Sequence, residues 1–259
     1  MRPFSVIIPA AGSGSRSGRA LPKQYVELAG APILAHTIAA FLALESCVDV
    51  VVAIDEAWRD VATACAPDDP RVRFVGGGAE RQHSIAAALA ALRGDALPGD
   101  ALHGDAPQGD ALHGNALRGR ALRGDASIVL VHDAARPCVG RALIERVVEA
   151  AETHGAAVPV VAIAETVKRV DANGMIVGTI PRSELRLAQT PQGFERALLE
   201  RAYSNADEHR IVATDDASLV EALGVGVAAV EGDADNLKIT LPGDFERAAA
   251  ILKAKGRIV

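Results

Sequence analysis

Aromatic side chains are scarce: one Trp, two Tyr and five Phe make up 3% of the 259 residues. Any core must therefore be aliphatic, and 49% hydrophobic content is enough for one sizeable core. Cysteine is scarce as well. Cys47, Cys65 and Cys138 are scattered, odd in number and without metal-ligand spacing, which argues against a disulfide framework and fits reduced thiols in a cytoplasm. No apolar run approaches the ~20 residues of a membrane span. The N-terminal stretch has no signal-peptide pattern, because Pro9 and a glycine loop interrupt it. Basic charge is in deficit, with 27 Lys plus Arg against 33 Asp plus Glu. With no basic stripe, a nucleic-acid partner is disfavoured. A basic pocket inside an acidic protein is not.

What the chain does contain is alternation. Phe4 to Ile8, Val48 to Ile54, Val72 to Val75, Ile128 to Val131 and Val158 to Ile163 read as buried strands. Ile33 to Leu44, Ala57 to Ala64, Glu80 to Leu92 and Arg141 to His154 read as helices. This βαβα order predicts an α/β fold, a mostly parallel sheet with helices on both faces. Ligands bind such sheets beyond the carboxyl ends of the strands. At about 164–190 the order breaks. Thr166 to Val170 and Met175 to Ile180 flank Asp171-Ala172-Asn173-Gly174 and predict a projecting β-hairpin. Beyond it we expect helices at Phe194 to Tyr203, Asp215 to Leu223 and Gly243 to Lys253, with strands near Val227 to Val230 and Leu237 to Ile239. The simplest organisation is a single domain over 1–259.

One segment stands apart. From Gly94 to Asp125 the chain repeats every five residues, as in Gly99-Asp100-Ala101-Leu102-His103. Five-residue repeats can build a square β-helix, but here alanine directly precedes leucine and the register is wrong. Glycine at every fifth position suits neither helix nor strand. The segment reads as a low-complexity surface insertion at 94–125.

Three stretches carry chemistry. After the first strand, Pro9-Ala10-Ala11-Gly12-Ser13-Gly14-Ser15-Arg16 is followed by Pro22-Lys23-Gln24-Tyr25. Backbone N–H groups of a glycine loop form a concavity for phosphate, and Arg16 and Lys23 add fixed positive charge. Ser17 stands where a dinucleotide fingerprint needs its third glycine, and Gly18 is not followed by the Lys-Ser/Thr of a P-loop. Gly76-Gly77-Gly78-Ala79-Glu80-Arg81-Gln82-His83-Ser84 is a second glycine turn entering a helix, able to read a base edge. After Val131 comes His132-Asp133-Ala134-Ala135-Arg136-Pro137, with an aspartate suited to substrate or Mg²⁺ and an arginine suited to phosphate. Lys238, between apolar neighbours in Ala234-Asp235-Asn236-Leu237-Lys238-Ile239-Thr240, faces either solvent or a pocket.

These motifs, with Thr190-Pro191-Gln192 and Thr214-Asp215, resemble those of the 2-C-methyl-D-erythritol 4-phosphate cytidylyltransferase family in order and spacing. The resemblance covers the chain outside the repeat. It implies a Rossmann-like nucleotidyltransferase sheet and a reaction of CTP with 2-C-methyl-D-erythritol 4-phosphate, with Mg²⁺, giving 4-diphosphocytidyl-2-C-methyl-D-erythritol and diphosphate. It assigns CTP to Ala10, Ala11, Gly12, Gly14, Arg16, Lys23, Gly78 and Ser84. The acceptor falls to Asp133, Arg136, Thr166, Arg182, Thr190 and Lys238. Arg16, Lys23 and Lys238 become the catalytic cations. Asp133 is the one metal candidate, Mg²⁺ being held mainly by the CTP phosphates. The hairpin is implied to be a dimerisation arm that carries Thr166 and Arg182 into a second subunit's pocket. Thr214 reads better as a helix N-cap. Two other readings stay open: transfer to ribitol 5-phosphate, and a catalytically silent nucleotide-binding or scaffolding protein.

Overall fold

The computed structural model describes residues 1–12, 21–94 and 126–258. Gly14, Arg16 and the repeat beyond Gly94 lie outside the described residues. The strands are β1 (Phe4–Ala10), β2 (Glu27–Leu28), β3 (Ala31–Pro32), β4 (Cys47–Ile54), β5 (Val72–Gly76), β6 (Ile128–Val131) and β7 (Ala156–Ala162). They are followed by β8 (Val167–Val170), β9 (Ile176–Ile180), β10 (Arg186–Ala188), β11 (Gln192–Glu195) and β12 (Ala228–Glu231). The helices are α1 (Ile33–Leu42), α2 (Arg59–Cys65), α3 (Arg81–Arg93), α4 (Arg141–His154), α5 (Arg196–His209), α6 (Asp216–Glu221) and α7 (Gly243–Ala254).

An eight-stranded sheet runs β10-β7-β11-β6-β1-β4-β5, with β12 on β7. The pairs β1–β4, β1–β6, β4–β5 and β12–β7 are parallel, while β11 is antiparallel to both β6 and β7. The expected mostly parallel α/β sheet is therefore present. Both of its faces are buried, and the period of two divides them. Phe4, Val6 and Ile8 join α1 and α4 in one aliphatic cluster, while Ile7, Val51 and Val129 face α3 and α5 in another. A smaller cluster seats α7 through Ala248 and Leu252 against Cys138 and Ile239.

Strand direction gathers the functional loops. β1, β4, β5 and β6 end at one edge of the sheet. β12 is parallel to β7 and ends there too, so the loop carrying Asp233 to Lys238 leaves from that edge. β11 runs the other way, with Gln192 opposite Val131, so its N-terminal end brings Thr190 to the same edge.

The hairpin expected at 164–190 forms as β8 and β9, a separate two-stranded sheet with its turn at Asp171–Met175. Three expectations need correction. Leu237 to Ile239 is not a strand; it is an extended loop whose one backbone tie is Ile239 N–H to the Ala135 carbonyl at 2.9 Å. β11 precedes α5 where the apolar spacing had suggested helix from Phe194. The N-cap of α6 is Asp215, not Thr214, and its carboxylate accepts from Ser218 N–H at 3.1 Å.

Candidate active site

At the carboxyl edge lies an open cavity of about 390 Å³. Its wall includes Ala10, Ala11, Gly12, Lys23, Gly78, Ser84, Asp133 and Lys238. Every described residue expected at the CTP site is thus in one cavity. Two of the acceptor candidates, Asp133 and Lys238, share it.

The first loop is shaped by a residue that the sequence reading did not single out. Gln24 is buried, and its amide Nε2 donates to the Ala10 carbonyl at 2.6 Å and the Gly12 carbonyl at 3.1 Å. Lys23 Nζ donates to the Ile239 carbonyl at 2.9 Å, tying the first loop to the Lys238 loop. The second glycine turn needs its glycines because neighbours approach closely. A Cβ on Gly77 would lie 2.5 Å from Ala11 Cβ, and one on Gly78 would lie 2.3 Å from His83 Cβ. Ser84 is buried and closes that turn, accepting from Gly78 N–H at 3.2 Å and donating to the Glu80 carbonyl at 3.1 Å.

Asp133 is the electrostatic centre. Its Oδ2 meets Lys238 Nζ at 3.0 Å and Arg136 Nε at 3.3 Å, and its Oδ1 faces Arg81 Nε at 3.8 Å. Burial alone would raise the Asp133 carboxyl, but Lys238, Arg136 and Arg81 outweigh it and hold it down at about 2. Arg136 also donates to the Asn236 carbonyl at 2.7 Å. Arg81, another residue not singled out in the sequence, spans to Asp216 at 2.7 Å. Asp216 is fully buried and also accepts from Tyr203 OH at 2.6 Å. Burial, reinforced by Asp216, pushes the Tyr203 phenol up, so it stays a donor.

Thr190 sits just behind this centre. It is 6% exposed, and its Oγ1 accepts from Asp133 N–H at 3.0 Å and contacts His132 Nδ1 at 3.1 Å. Its carbonyl accepts from Asn236 Nδ2 at 2.7 Å. Both hydrogen-bonding directions of the Thr190 hydroxyl are used within the chain. The role it displays is support of Asp133, not a wall of the cavity. Arg136 is likewise in contact with Asp133 without lining the cavity. Thr166 and Arg182 are exposed on and beside the hairpin and do not line their own chain's cavity.

The fit to Mg²⁺ can be judged from the donor set. Among the described residues no group of three or more His, Cys, Asp and Glu is arranged to hold a metal. Asp133 offers one carboxylate already engaged by cations. Mg²⁺ readily completes its shell from phosphate oxygens and water, so these residues fit a metal held mainly by a triphosphate.

Similarity to known proteins is extensive. The family model described as IspD, 2-C-methyl-D-erythritol 4-phosphate cytidylyltransferase, matches residues 4–106 and 112–254. The protein of that name from Chromobacterium violaceum is 41% identical, the match covering 96% of this chain and 97% of that protein. The one from Acidobacterium capsulatum is 38% identical over 98% of this chain and 99% of its own length. Among solved structures, that of the Thermus thermophilus enzyme is similar with a TM-score of 0.72 and 36% identity, covering 98% of this chain and 100% of that one. The Francisella tularensis structure gives a TM-score of 0.74 at 30% identity, covering 96% and 100%.

Proposed function

This chain belongs to the 2-C-methyl-D-erythritol 4-phosphate cytidylyltransferase family, and we propose that it transfers the cytidylyl group of CTP to 2-C-methyl-D-erythritol 4-phosphate. The observation that carries this reading is the single cavity joining the glycine turns, Lys23 and the Asp133–Lys238 pair.

A phosphate oxygen of the acceptor attacks the α-phosphorus of CTP in line. The bond from that phosphorus to the bridging oxygen of the β-phosphate breaks, and diphosphate leaves with the electron pair. The acceptor is already an anion, so no general base is required. The obstacle is bringing one anion onto another, and catalysis is positioning with charge neutralisation. Ala10, Gly78 and Ser84 hold the cytosine; Ala11, Gly12, Gly14, Arg16 and Lys23 hold the triphosphate. Lys238, on the wall of the cavity, would bridge the α-phosphate and the acceptor. Asp133 and Arg136 orient the acceptor, and Thr190 supports Asp133 from behind. Mg²⁺ bound with CTP would supply further charge neutralisation on the phosphates, and Asp133 is the carboxylate that would help to hold it.

The arm would complete a homodimer. Among the described residues, five of the eight large apolar side chains that stand most exposed are Val170, Met175, Ile176, Val177 and Leu187. An exposed apolar cluster of this kind marks an interface, and Thr166 and Arg182 lie beside it. The three unpaired thiols suit a reducing cytoplasm, and no helix of the described residues is long and apolar enough to cross a membrane. We read 1–259 as a single nucleotidyltransferase domain with an insertion at 94–125.

The test is diphosphate release from CTP in the presence of Mg²⁺, with 2-C-methyl-D-erythritol 4-phosphate and ribitol 5-phosphate in parallel reactions. Release with the first acceptor, and far less with the second, is expected. Silence with both, or a preference for ribitol 5-phosphate, overturns the assignment.

A further inference from the structure

We propose that His132 is a positioning residue of this site: a neutral imidazole protonated on Nε2 that locks Asp133 and Arg136 in place through Thr190. The inference rests on the functional reading above for its kinetic consequences, but not for its geometry.

The proton positions follow from the hydrogen bonds themselves. The Asp133 N–H can only donate, so Thr190 Oγ1, at 3.0 Å, accepts it. The hydroxyl proton of Thr190 is then free to donate, and His132 Nδ1 lies 3.1 Å away. Nδ1 can take that proton in the tautomer that is protonated on the other nitrogen. The other nitrogen, Nε2, is 3.1 Å from the Arg136 carbonyl, which can only accept, so Nε2 carries the proton. Of the two neutral tautomers, the one protonated on Nε2 satisfies every donor and acceptor of the relay from Asp133 N–H to Thr190 to His132 to the Arg136 carbonyl. An imidazolium would direct a second N–H at Thr190 and displace its hydroxyl proton. The ring is fully buried, with its edge against Phe41 at 5.0 Å between centroids, so no water replaces a lost partner.

The consequence is that the ring sets the loop from both ends. Thr190 fixes the peptide from which the Asp133 side chain departs, and the Arg136 carbonyl fixes the other end. Between them stand the two side chains that meet at 3.3 Å, and Asp133 in turn pairs with Lys238 on the cavity wall. The same threonine receives Asn236, whose carbonyl holds Arg136. The imidazole thus couples the His132–Arg136 loop to the Lys238 loop without touching a substrate.

The experiment compares His132→Phe, which keeps ring packing, with Thr190→Val, which removes the hydroxyl. Leaving a buried partner unsatisfied should lower kcat/KM for the acceptor phosphate about ten- to hundredfold in each folded variant. KM for CTP should stay within about threefold of the wild type, since none of the relay's hydrogen bonds is made to Lys23 or to the backbone of the glycine turns. Thr190→Ser should recover most of what Thr190→Val loses. The double variant should be little worse than either single one, because both cut the same relay. A purely structural role would lower thermal stability while leaving both kinetic constants of the folded fraction unchanged. That outcome, or additive losses in the double variant, overturns the proposal. If His132→Phe does not fold, Thr190→Val and Thr190→Ser carry the kinetic comparison. ¹⁵N-histidine NMR of the wild type reads the tautomer without turnover, with His132 assigned by an Asn substitution if Phe is not tolerated. A neutral Nε2–H pattern is expected. An Nδ1–H or imidazolium pattern at neutral pH overturns the relay even if the enzyme proves inactive with both acceptors, a result that would separately remove the functional reading.

Discussion

Asp133 shows how a single carboxylate can organise cations that would otherwise repel. Lys238 and Arg136 lie within 3.3 Å of its Oδ2, and its negative charge offsets their mutual repulsion, with Lys238 on the cavity wall and Arg136 behind it. Removing Lys238 leaves Asp133 with Arg136 at 3.3 Å and Arg81 at 3.8 Å. Lys238→Ala and Lys23→Ala should each lower kcat about a hundredfold or more, the scale of losing one preorganised donor to a developing charge; near-normal turnover in either would remove that residue from the site. A second expectation concerns pH. Burial lowers the His132 imidazole to about 4, from an ordinary value of 6.5. Between those values the unfolded chain holds a proton that the folded chain refuses. Stability is therefore fully present above 6.5 and falls as pH drops toward 4, by on the order of 3 kcal/mol. Urea melts at pH 7 and pH 5 should show the wild type weaker at pH 5 and most of that difference gone in His132→Phe. The carboxyl of Asp133 titrates lower still and leaves this window untouched. These roles divide by legibility. Lys23, Gly78 and Asp133 drew attention in the sequence because each lies inside a motif of matching chemistry, and the structure brings all three to one cavity. Gln24, Arg81 and the buried function of Thr190 drew none, since their partners lie far away in sequence: Arg81 meets Asp216, and Thr190 meets Asp133.

The elements were legible where periodicity and burial agree. β6 and α4 fall at the expected residues, because a wholly apolar run of four and an amphipathic helix closed by Gly155 admit few alternatives. β10 and β11 escaped notice. Each is short, and each is strand only because distant strands offer an edge, β7 to β10, and β6 and β7 together to β11. The register places Ala188 opposite Val160 and Gly193 opposite Ala157, so both lie end to end along β7. Nothing local encodes that. Leu237 to Ile239 misled for the opposite reason: its alternation looks like a strand, but Ile239 is buried against α7, not on a sheet. The two glycine turns form a unit of their own. Gly77 lies so close to Ala11 that a methyl group would drive the turns apart. Gly77→Ala should raise KM for CTP about ten- to hundredfold, the scale of overpacking a tight contact, with kcat/KM for the acceptor at saturating CTP much less affected. Unchanged CTP binding, read by calorimetry, would show that the two turns do not jointly frame the base.

At the scale of the whole molecule two segments lie outside the central sheet's logic. The repeat beyond Gly94 leaves α3 through a left-handed glycine and returns just before β6. If the repeat is an inserted loop it costs little, since each doubling of a loop adds only ~0.6 kcal/mol. Deleting 95–125 with a short polar turn in its place should leave turnover within about threefold, and an insoluble or inactive product would make the repeat structural. The arm is the larger question. Arg182 is exposed beside β9, and no feature of its own subunit's cavity uses it. If the apolar side chains of the arm close on a second copy, each active site draws Lys23 from one chain and Arg182 from the other. Arg182→Ala should then weaken acceptor binding while CTP binding stays near normal. Mixing Arg182→Ala with Lys23→Ala subunits gives a sharper result. In every heterodimer one site inherits both defects and the other inherits neither. Random pairing makes about half of all dimers mixed, so activity should rise to roughly a quarter of the wild-type value from two nearly inactive parents. Were Arg182 to act within its own chain, every site in the mixture would lack one of the two cations. Mixed dimers shown by mass spectrometry to form, yet as inactive as their parents, would return Arg182 to its own subunit.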